Sequence, residues 1–137
     1  NIIALACGIS DGLKYGTNTK ALILTEGIQE ISKIGSSLKI DPETRKSSAG
    51  IGDLYVTCSS VLSRNRNAGR LLAEGHSKAE ITRGLINMVA ESLYLTEAIA
   101  KFLATTNESF PLLDMIIKIV EYNTPAQKAF DLFLESS

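Results

Sequence analysis

The three prolines of this 137-residue chain, Pro42, Pro111 and Pro125, constrain its fold more than any other feature, because each stands where a helix would begin and none interrupts one. Proline sets φ near about −65° and has no N–H, and the first helical position is where both properties are harmless. Asp41 can cap a helix whose first residue is Pro42. Thr124, Pro125 and Gln127 repeat the arrangement as cap, first residue and third residue, and Pro111 opens the run LLDMIIKIVE. Ser77 and Glu80 make a Ser-x-x-Glu capping box for a short helix, and Gly75 stands where a glycine would close the preceding one.

Between these markers the apolar residues recur at steps of three and four. Leu24, Ile28 and Ile31 form one stripe, Leu95, Ile99, Phe102 and Leu103 a second, and Leu112, Met115, Ile116, Ile119 and Val120 a third. Such stripes are helix faces that need a core to cover them. No Asn-Gly or Asp-Gly turn joins alternating runs, and IGDLYVTC at 51–58 is the one stretch with strand character. That stretch is read as a helical turn or an irregular approach to the next helix. The spacing predicts one all-α domain over 1–137, with helices near 1–13, 18–36, 42–48, 61–74, 77–83, 88–106, 111–122 and 125–135.

Composition narrows the function. With 45% apolar and 21% charged residues the chain is globular, and a net charge of −1 offers no general attraction for nucleic acid or acidic membranes. No apolar run approaches the ~20 residues of a membrane span. Cys7 and Cys58 lie far apart with no metal-ligating neighbours, and His76 is the only histidine. Zinc is therefore not expected, and neither is a Ser-His-Asp nucleophile. A disulfide is conceivable, but reduced thiols in a cytoplasmic protein suit the sequence better. The start, NIIALACGI, is apolar at once, and reads as a chain cut inside an element of a larger protein.

Residues 50–75 carry the most chemistry. Thr57, Ser59, Ser60 and Ser63 supply hydroxyls, and Arg64, Asn65 and Arg66 follow where a helix starts. Free N–H groups at a helix N-terminus, a serine hydroxyl and a guanidinium fork together suit a phosphate or other oxyanion. A plain serine cap followed by solvated arginines accounts for the same residue types. Asp53 lies between two apolar stretches, either near a functional cation or exposed on a turn. Gly50 and Gly52 are no dinucleotide fingerprint, because position 55 is tyrosine where a third glycine would stand. Lys14 and Lys20 flank a glycine-containing turn and read as solvated lysines near a helix cap at Thr17 or Asn18.

Three blocks, NIIALACGISDGLKYGTNTKALILTEGIQE, GIGDLYVTCSSVLSRNRNAG and MVAESLYLTEAI, closely resemble bacterial NAD(P)-dependent glycerol-3-phosphate dehydrogenases, in family order and over essentially the whole chain. The resemblance implies the helical, substrate-binding C-terminal domain of a 6-phosphogluconate dehydrogenase-like enzyme, with a Rossmann domain ahead of it. It implies reversible reduction of dihydroxyacetone phosphate to sn-glycerol 3-phosphate, a step of glycerophospholipid synthesis, with NAD or NADP held mainly by the other domain. In this family a Leu-Lys-Asn motif carries the general acid/base, and Asn1 matches its asparagine. The lysine would immediately precede Asn1, so the chain by itself is expected to be inactive.

By the same resemblance, Asp53 supports that lysine beside the substrate. Asn1, Thr57, Ser63, Arg64 and Asn65 hold substrate, and Arg64, Val89 and Glu91 approach the nucleotide. The family usually has glycine where this chain has Ser92. Lys20 falls where a basic residue is common and is given no catalytic role. No metal is implied, and a homodimer is compatible with the apolar helices 88–106 and 111–122. Two other readings stay open: a helical oligomerisation module without a substrate site, and a related dehydrogenase acting on another phosphorylated or carboxylated substrate. The Ser63-Arg64-Asn65 cluster beside Asp53 discriminates against the first, and the length of the matching blocks against the second.

Overall fold

The computed structural model describes residues 1–39, 43, 60, 63–85 and 90–137. Among these the elements are α1 (Ile2–Gly12), α2 (Thr17–Ser37), α3 (Arg64–Ala73), α4 (Lys78–Glu80), α5 (Ser92–Leu103), α6 (Pro111–Val120) and α7 (Ala126–Ser136). A π turn at Ile81–Leu85 continues α4 and unwinds at Gly84, where φ is +129°. The described residues contain no strand, in agreement with the all-α expectation. The helix expected near 42–48, the Asp41–Pro42 cap and the segment IGDLYVTC lie outside them, apart from Glu43. No helix among the described residues is long and apolar enough to cross a membrane.

Two helices form the centre. Every residue of α1 from Ile2 to Ser10 is buried, and α6 buries Leu112, Leu113, Met115, Ile116, Ile117, Ile119 and Val120. Isoleucine is a mediocre helix former, at a cost below about 0.7 kcal/mol per residue. Full burial of its side chain gains about 1.5–3 kcal/mol, so packing decides the conformation. Most apolar side chains of the helix expected at 111–122 are therefore core, with Tyr122 beyond its end exposed.

The α1–α3 contact is unusually close. A Cβ on Gly8 would fall 1.9 Å from the Arg66 carbonyl oxygen, and one on Gly69 would fall 2.0 Å from that of Leu5. Gly12 meets Arg70 and Ala73 in the same way one turn later, so the two helices run in the same direction with their backbones touching.

Helix α2 corrects one expectation. Its buried residues are Ile23, Gly27, Glu30 and Gly35, whereas Ile28 and Ile31 are 38% and 43% exposed and Leu24 is half-buried. The core-facing side holds a glycine and a glutamate, which an apolar pattern cannot register. A Cβ on Gly27 would come within 2.6 Å of Ile3 Cδ1. One turn on, the Glu30 carboxylate accepts the backbone N–H groups of Leu112 at 2.7 Å and Leu113 at 2.9 Å. The N-cap of α6, Phe110, has no polar side chain, and Glu30 supplies the cap from another helix.

The other markers behave as local chemistry dictates. Ser77 and Glu80 form the reciprocal capping box. Gly75, at φ +100°, ends α3, with its N–H bonded to the Leu72 carbonyl and that of His76 to the Leu71 carbonyl, the Schellman pattern. Thr124 does not cap α7. That helix starts at Ala126 with Pro125 in the cap position, and the Thr124 N–H instead closes α6 by bonding the Lys118 carbonyl at 2.9 Å. Neither Thr17 nor Asn18 caps α2, whose N-cap is Gly16. Phe130 and Phe133 of α7 pack into the core, with Tyr15 stacked on Phe130 at 4.8 Å.

Candidate functional site

The N-termini of α1, α3 and α5 are joined by side-chain hydrogen bonds. The Asn1 amide nitrogen donates to the Glu91 carboxylate at 3.0 Å, across ninety positions of sequence. The Asn65 amide oxygen accepts the Ser92 backbone N–H at 3.1 Å and the Ser92 hydroxyl at 2.6 Å. Asn1 is the N-cap of α1 and Glu91 that of α5, yet neither makes a side-chain cap bond to its own helix. Their polar groups tie helix to helix instead.

Ser63 caps α3 by accepting the Arg66 N–H at 3.3 Å. Arg64 occupies the first position of α3 and is exposed, and Asn65 behind it is 7% exposed. Three helix N-termini bring partial positive charge to one end of the molecule, where the Arg64 guanidinium adds a full charge. Helix N-termini and a guanidinium fork are the donor types that suit an oxyanion such as phosphate, with the exposed Glu91 carboxylate standing beside them.

Of the residues expected at a site, Asn1, Asn65 and Glu91 are brought together through these bonds, and Ser63 and Arg64 adjoin Asn65. Asp53, Thr57 and Val89 lie outside the described residues, as does Cys58. Cys7 is buried on α1.

Arg66 separates from Arg64. Two residues along a helix turn the side chain by roughly 200°, and Arg66 donates to Asp11 at the far end of α1. Lys20 of α2 meets the same carboxylate at 2.6 Å, so it is an ion-paired group and not a freely solvated one. Burial alone would raise the Asp11 pKa, but the bonds from Arg66 and Lys20 outweigh it and hold the carboxyl below the usual carboxylate range. Sequence reasoning grouped Arg64 with Arg66 because they are neighbours; helical periodicity already places them on different faces. It also noted Ser92 only as a departure from glycine, although a serine opening a helix is a polar group needing a partner.

His76 pairs with Glu80 at 3.3 Å, away from these termini. An open groove between α6 and α7, floored by Leu103, Met115 and Phe133, lies elsewhere, and its Asp114 and Lys118 neutralise each other at 2.7 Å. Among the described residues, no group of three or more His, Cys, Asp or Glu side chains is placed to hold a metal ion.

A family model described as "NAD-dependent glycerol-3-phosphate dehydrogenase C-terminus" matches residues 1–131. The glycerol-3-phosphate dehydrogenase (NAD(P)+) of Geobacter sulfurreducens is 38% identical over 129 residues, which are 94% of this chain and 38% of that protein. That of Shouchella clausii is 50% identical over 98 residues, 72% of this chain and 28% of that protein. The crystal structure of glycerol-3-phosphate dehydrogenase from Coxiella burnetii superposes with a TM-score of 0.88 at 35% identity, over 98% of this chain and 41% of that one. The chain thus spans roughly two fifths of the length of these full relatives.

Proposed function

Because this chain belongs to the family of NAD-dependent glycerol-3-phosphate dehydrogenase C-terminal domains, we propose that it is the substrate-binding half of an enzyme that reversibly reduces dihydroxyacetone phosphate to sn-glycerol 3-phosphate. The observation that carries this reading is the convergence of the α1, α3 and α5 N-termini, tied by Asn1–Glu91 and Asn65–Ser92, with Arg64 exposed beside them. An anion held there by Arg64, Asn65, Thr57 and the Ser63 turn is the substrate phosphate. Binding energy from that phosphate positions the reacting carbon.

In the alcohol-oxidising direction a base removes the hydroxyl proton while hydride leaves carbon. By the resemblance to the family's Leu-Lys-Asn motif, that base is a lysine whose amine Asp53 orients. Asn1 turns its amide nitrogen to Glu91, which leaves its oxygen as an acceptor for a substrate hydroxyl. The cofactor is NAD or NADP, and the nicotinamide supplies or accepts the hydride when bound. The donor set suits that group: Arg64 is an exposed cation for a nucleotide phosphate, and the exposed carboxylate of Glu91 can accept from a sugar hydroxyl. By the family resemblance, Val89 is assigned to the nucleotide as well. The enzyme works in the cytoplasm, and if it is a homodimer, the exposed Tyr94 and Leu95 of α5 and Ile28 and Ile31 of α2 offer apolar surface, while α6 does not.

The test is Arg64→Ala in the full-length enzyme. Loss of one member of a charged phosphate contact costs roughly 2–5 kcal/mol, so kcat/KM should fall by a factor of about 30 to several thousand. Arg64→Lys should recover part of this, keeping charge without the fork. Stability should change by less than about 1 kcal/mol, since the side chain is exposed. Arg70, which bonds Glu74 and Asn67 on the exposed side of α3, is the control, and Arg70→Ala should leave the kinetics almost unchanged. Wild-type kcat/KM in Arg64→Ala, or a larger loss in Arg70→Ala, would remove the phosphate site from α3.

A further inference from the structure

The side chain of Ser92 is completely buried and spends its hydroxyl on Asn65, 27 positions earlier in sequence. Its backbone N–H goes to the same oxygen. A backbone N–H can only donate, so the atom facing it must be the amide oxygen of Asn65 and not the nitrogen. With both donors on Oδ1, the orientation of this amide is set by chemistry. Among the described residues no acceptor takes the Nδ2 group, and it is not one of the buried atoms left without a partner, so it keeps access to solvent. Oδ1 and Nδ2 diverge from one carbon, so an oxygen turned toward α5 leaves the two N–H donors turned away from it, at the end of α3 that carries Arg64.

We infer that Ser92 is a positioning residue: it locks the Asn65 amide so that the face presented to the ligand is donor-only, which selects a fully ionised, acceptor-only group such as a phosphate. This rests on the phosphate-site reading above. The lock matters because a side-chain amide is ambivalent. Turned over, Asn65 would aim an oxygen at the phosphate oxygens and repel them. One donor from the Ser92 backbone already biases the choice, and the hydroxyl adds a second vote from a buried position where an amide nitrogen would be left facing another donor. Sequence separation hides the pair, because only the packing of α3 against the start of α5 brings position 65 to position 92.

Two substitutions separate this role from a purely structural one. Ser92→Ala removes the hydroxyl and keeps the N–H. Asn65→Asp keeps an oxygen for Ser92 and replaces the outward donor by a charged acceptor, so it should preserve the tie between α3 and α5 while opposing phosphate. In the full-length enzyme, the readouts are KM for glycerol 3-phosphate, the inhibition constant of inorganic phosphate, kcat, and the melting temperature. Hydrogen bonds to charged groups are worth about 1.5–3 kcal/mol, so Asn65→Asp should raise KM and the phosphate constant at least about tenfold. Ser92→Ala should raise both by a smaller factor of roughly three to ten, with kcat within about twofold, since part of the orientational bias remains with the N–H. Combined, Ser92→Ala should add nothing to Asn65→Asp, because an aspartate has no wrong face to turn. If Ser92→Ala lowers the melting temperature but leaves KM and the phosphate constant unchanged, or has the same effect in both backgrounds, Ser92 is a helix-end contact and the inference is wrong. If Asn65→Asp leaves both constants unchanged in an active enzyme, the phosphate-site reading fails first and takes this one with it.

Discussion

Glu30 shows how much one residue can carry. The residue is 1% exposed, and its carboxylate satisfies two N–H groups at the start of α6, the central helix of the domain. Burial pushes its pKa up, against the pull of the two backbone bonds. Glu30→Ala leaves both N–H groups buried and unpaired and should cost about 2–4 kcal/mol, read as a lower denaturation midpoint. Glu30→Gln can offer only one acceptor and places an NH2 against the second donor, so it should cost about 1–3 kcal/mol at neutral pH. The sign of the pH effect follows from the raised pKa. With its pKa raised, Glu30 binds more protons on average in the folded than in the unfolded state, so it favours folding more as the pH falls toward the ordinary glutamate value of about 4.3. The stability gap between wild type and Glu30→Gln should therefore be wider near about pH 4.5 than near about pH 7. A gap that narrows on acidification would mean that the buried carboxyl is held ionised.

At the scale of elements, the α1–α3 pair depends on glycines whose missing Cβ is the contact. Gly8→Ala or Gly69→Ala puts a methyl about where a carbonyl oxygen already stands, 1.9 or 2.0 Å away, and backbone cannot rotate aside. The helices must separate, which opens the core around Leu5 and Ala68 and should cost about 3 kcal/mol, the upper range of overpacking. Gly16→Ala is the control: nothing lies within 4 Å, φ is −88°, and the change should be neutral or stabilise by up to about 1 kcal/mol. Thermal melts of the three variants check the ranking. Because α3 carries Arg64 and Asn65, the Gly8 and Gly69 variants should also weaken substrate binding, whereas Gly16→Ala should not. The capping box on α4 is a smaller effect, and Ser77→Ala should cost about 1 kcal/mol.

Across the whole molecule, two shared carboxylates fasten elements that are distant in sequence. Asp11 holds Lys20 of α2 and Arg66 of α3 to α1. Glu121, at the end of α6, accepts from Lys78 of α4 at 2.7 Å and from Thr96 of α5. Burial alone would raise the Glu121 pKa, but Lys78 and Thr96 outweigh it, and the pKa is lowered, as it is for Asp11. A depressed carboxylate contributes stability that is present above its unfolded pKa and lost as the pH falls through the folded one. Denaturant midpoints should therefore drop as the pH goes below about 4. The double variant Asp11→Asn/Glu121→Gln should start lower at pH 7 and fall less steeply on acidification. Equal slopes for the two proteins would show that other groups govern the acid transition.

What the sequence determined by itself was the local grammar and the kinship. Pro111, the Ser77–Glu80 box and Gly75 placed helix boundaries because caps and φ preferences act within a few residues. The long Gly-Asp-Leu to Ser-Arg-Asn block pointed to the family that residues 1–131 match. The candidate site was proposed from the sequence as a set of residues, of which Asp53, Thr57 and Val89 lie outside the described part of the chain. Which residues meet is settled by packing between elements. The buried face of α2 includes Ile23, Gly27 and Glu30 because a glycine permits close approach and a glutamate meets a helix N-terminus; neither is an apolar signal. Arg66 turns to Asp11, and Asn65 to Ser92, because those partners lie 55 and 27 positions away. Periodicity reports which side of a helix a residue occupies, but the partner waiting on that side is chosen by packing between elements, which no local pattern contains.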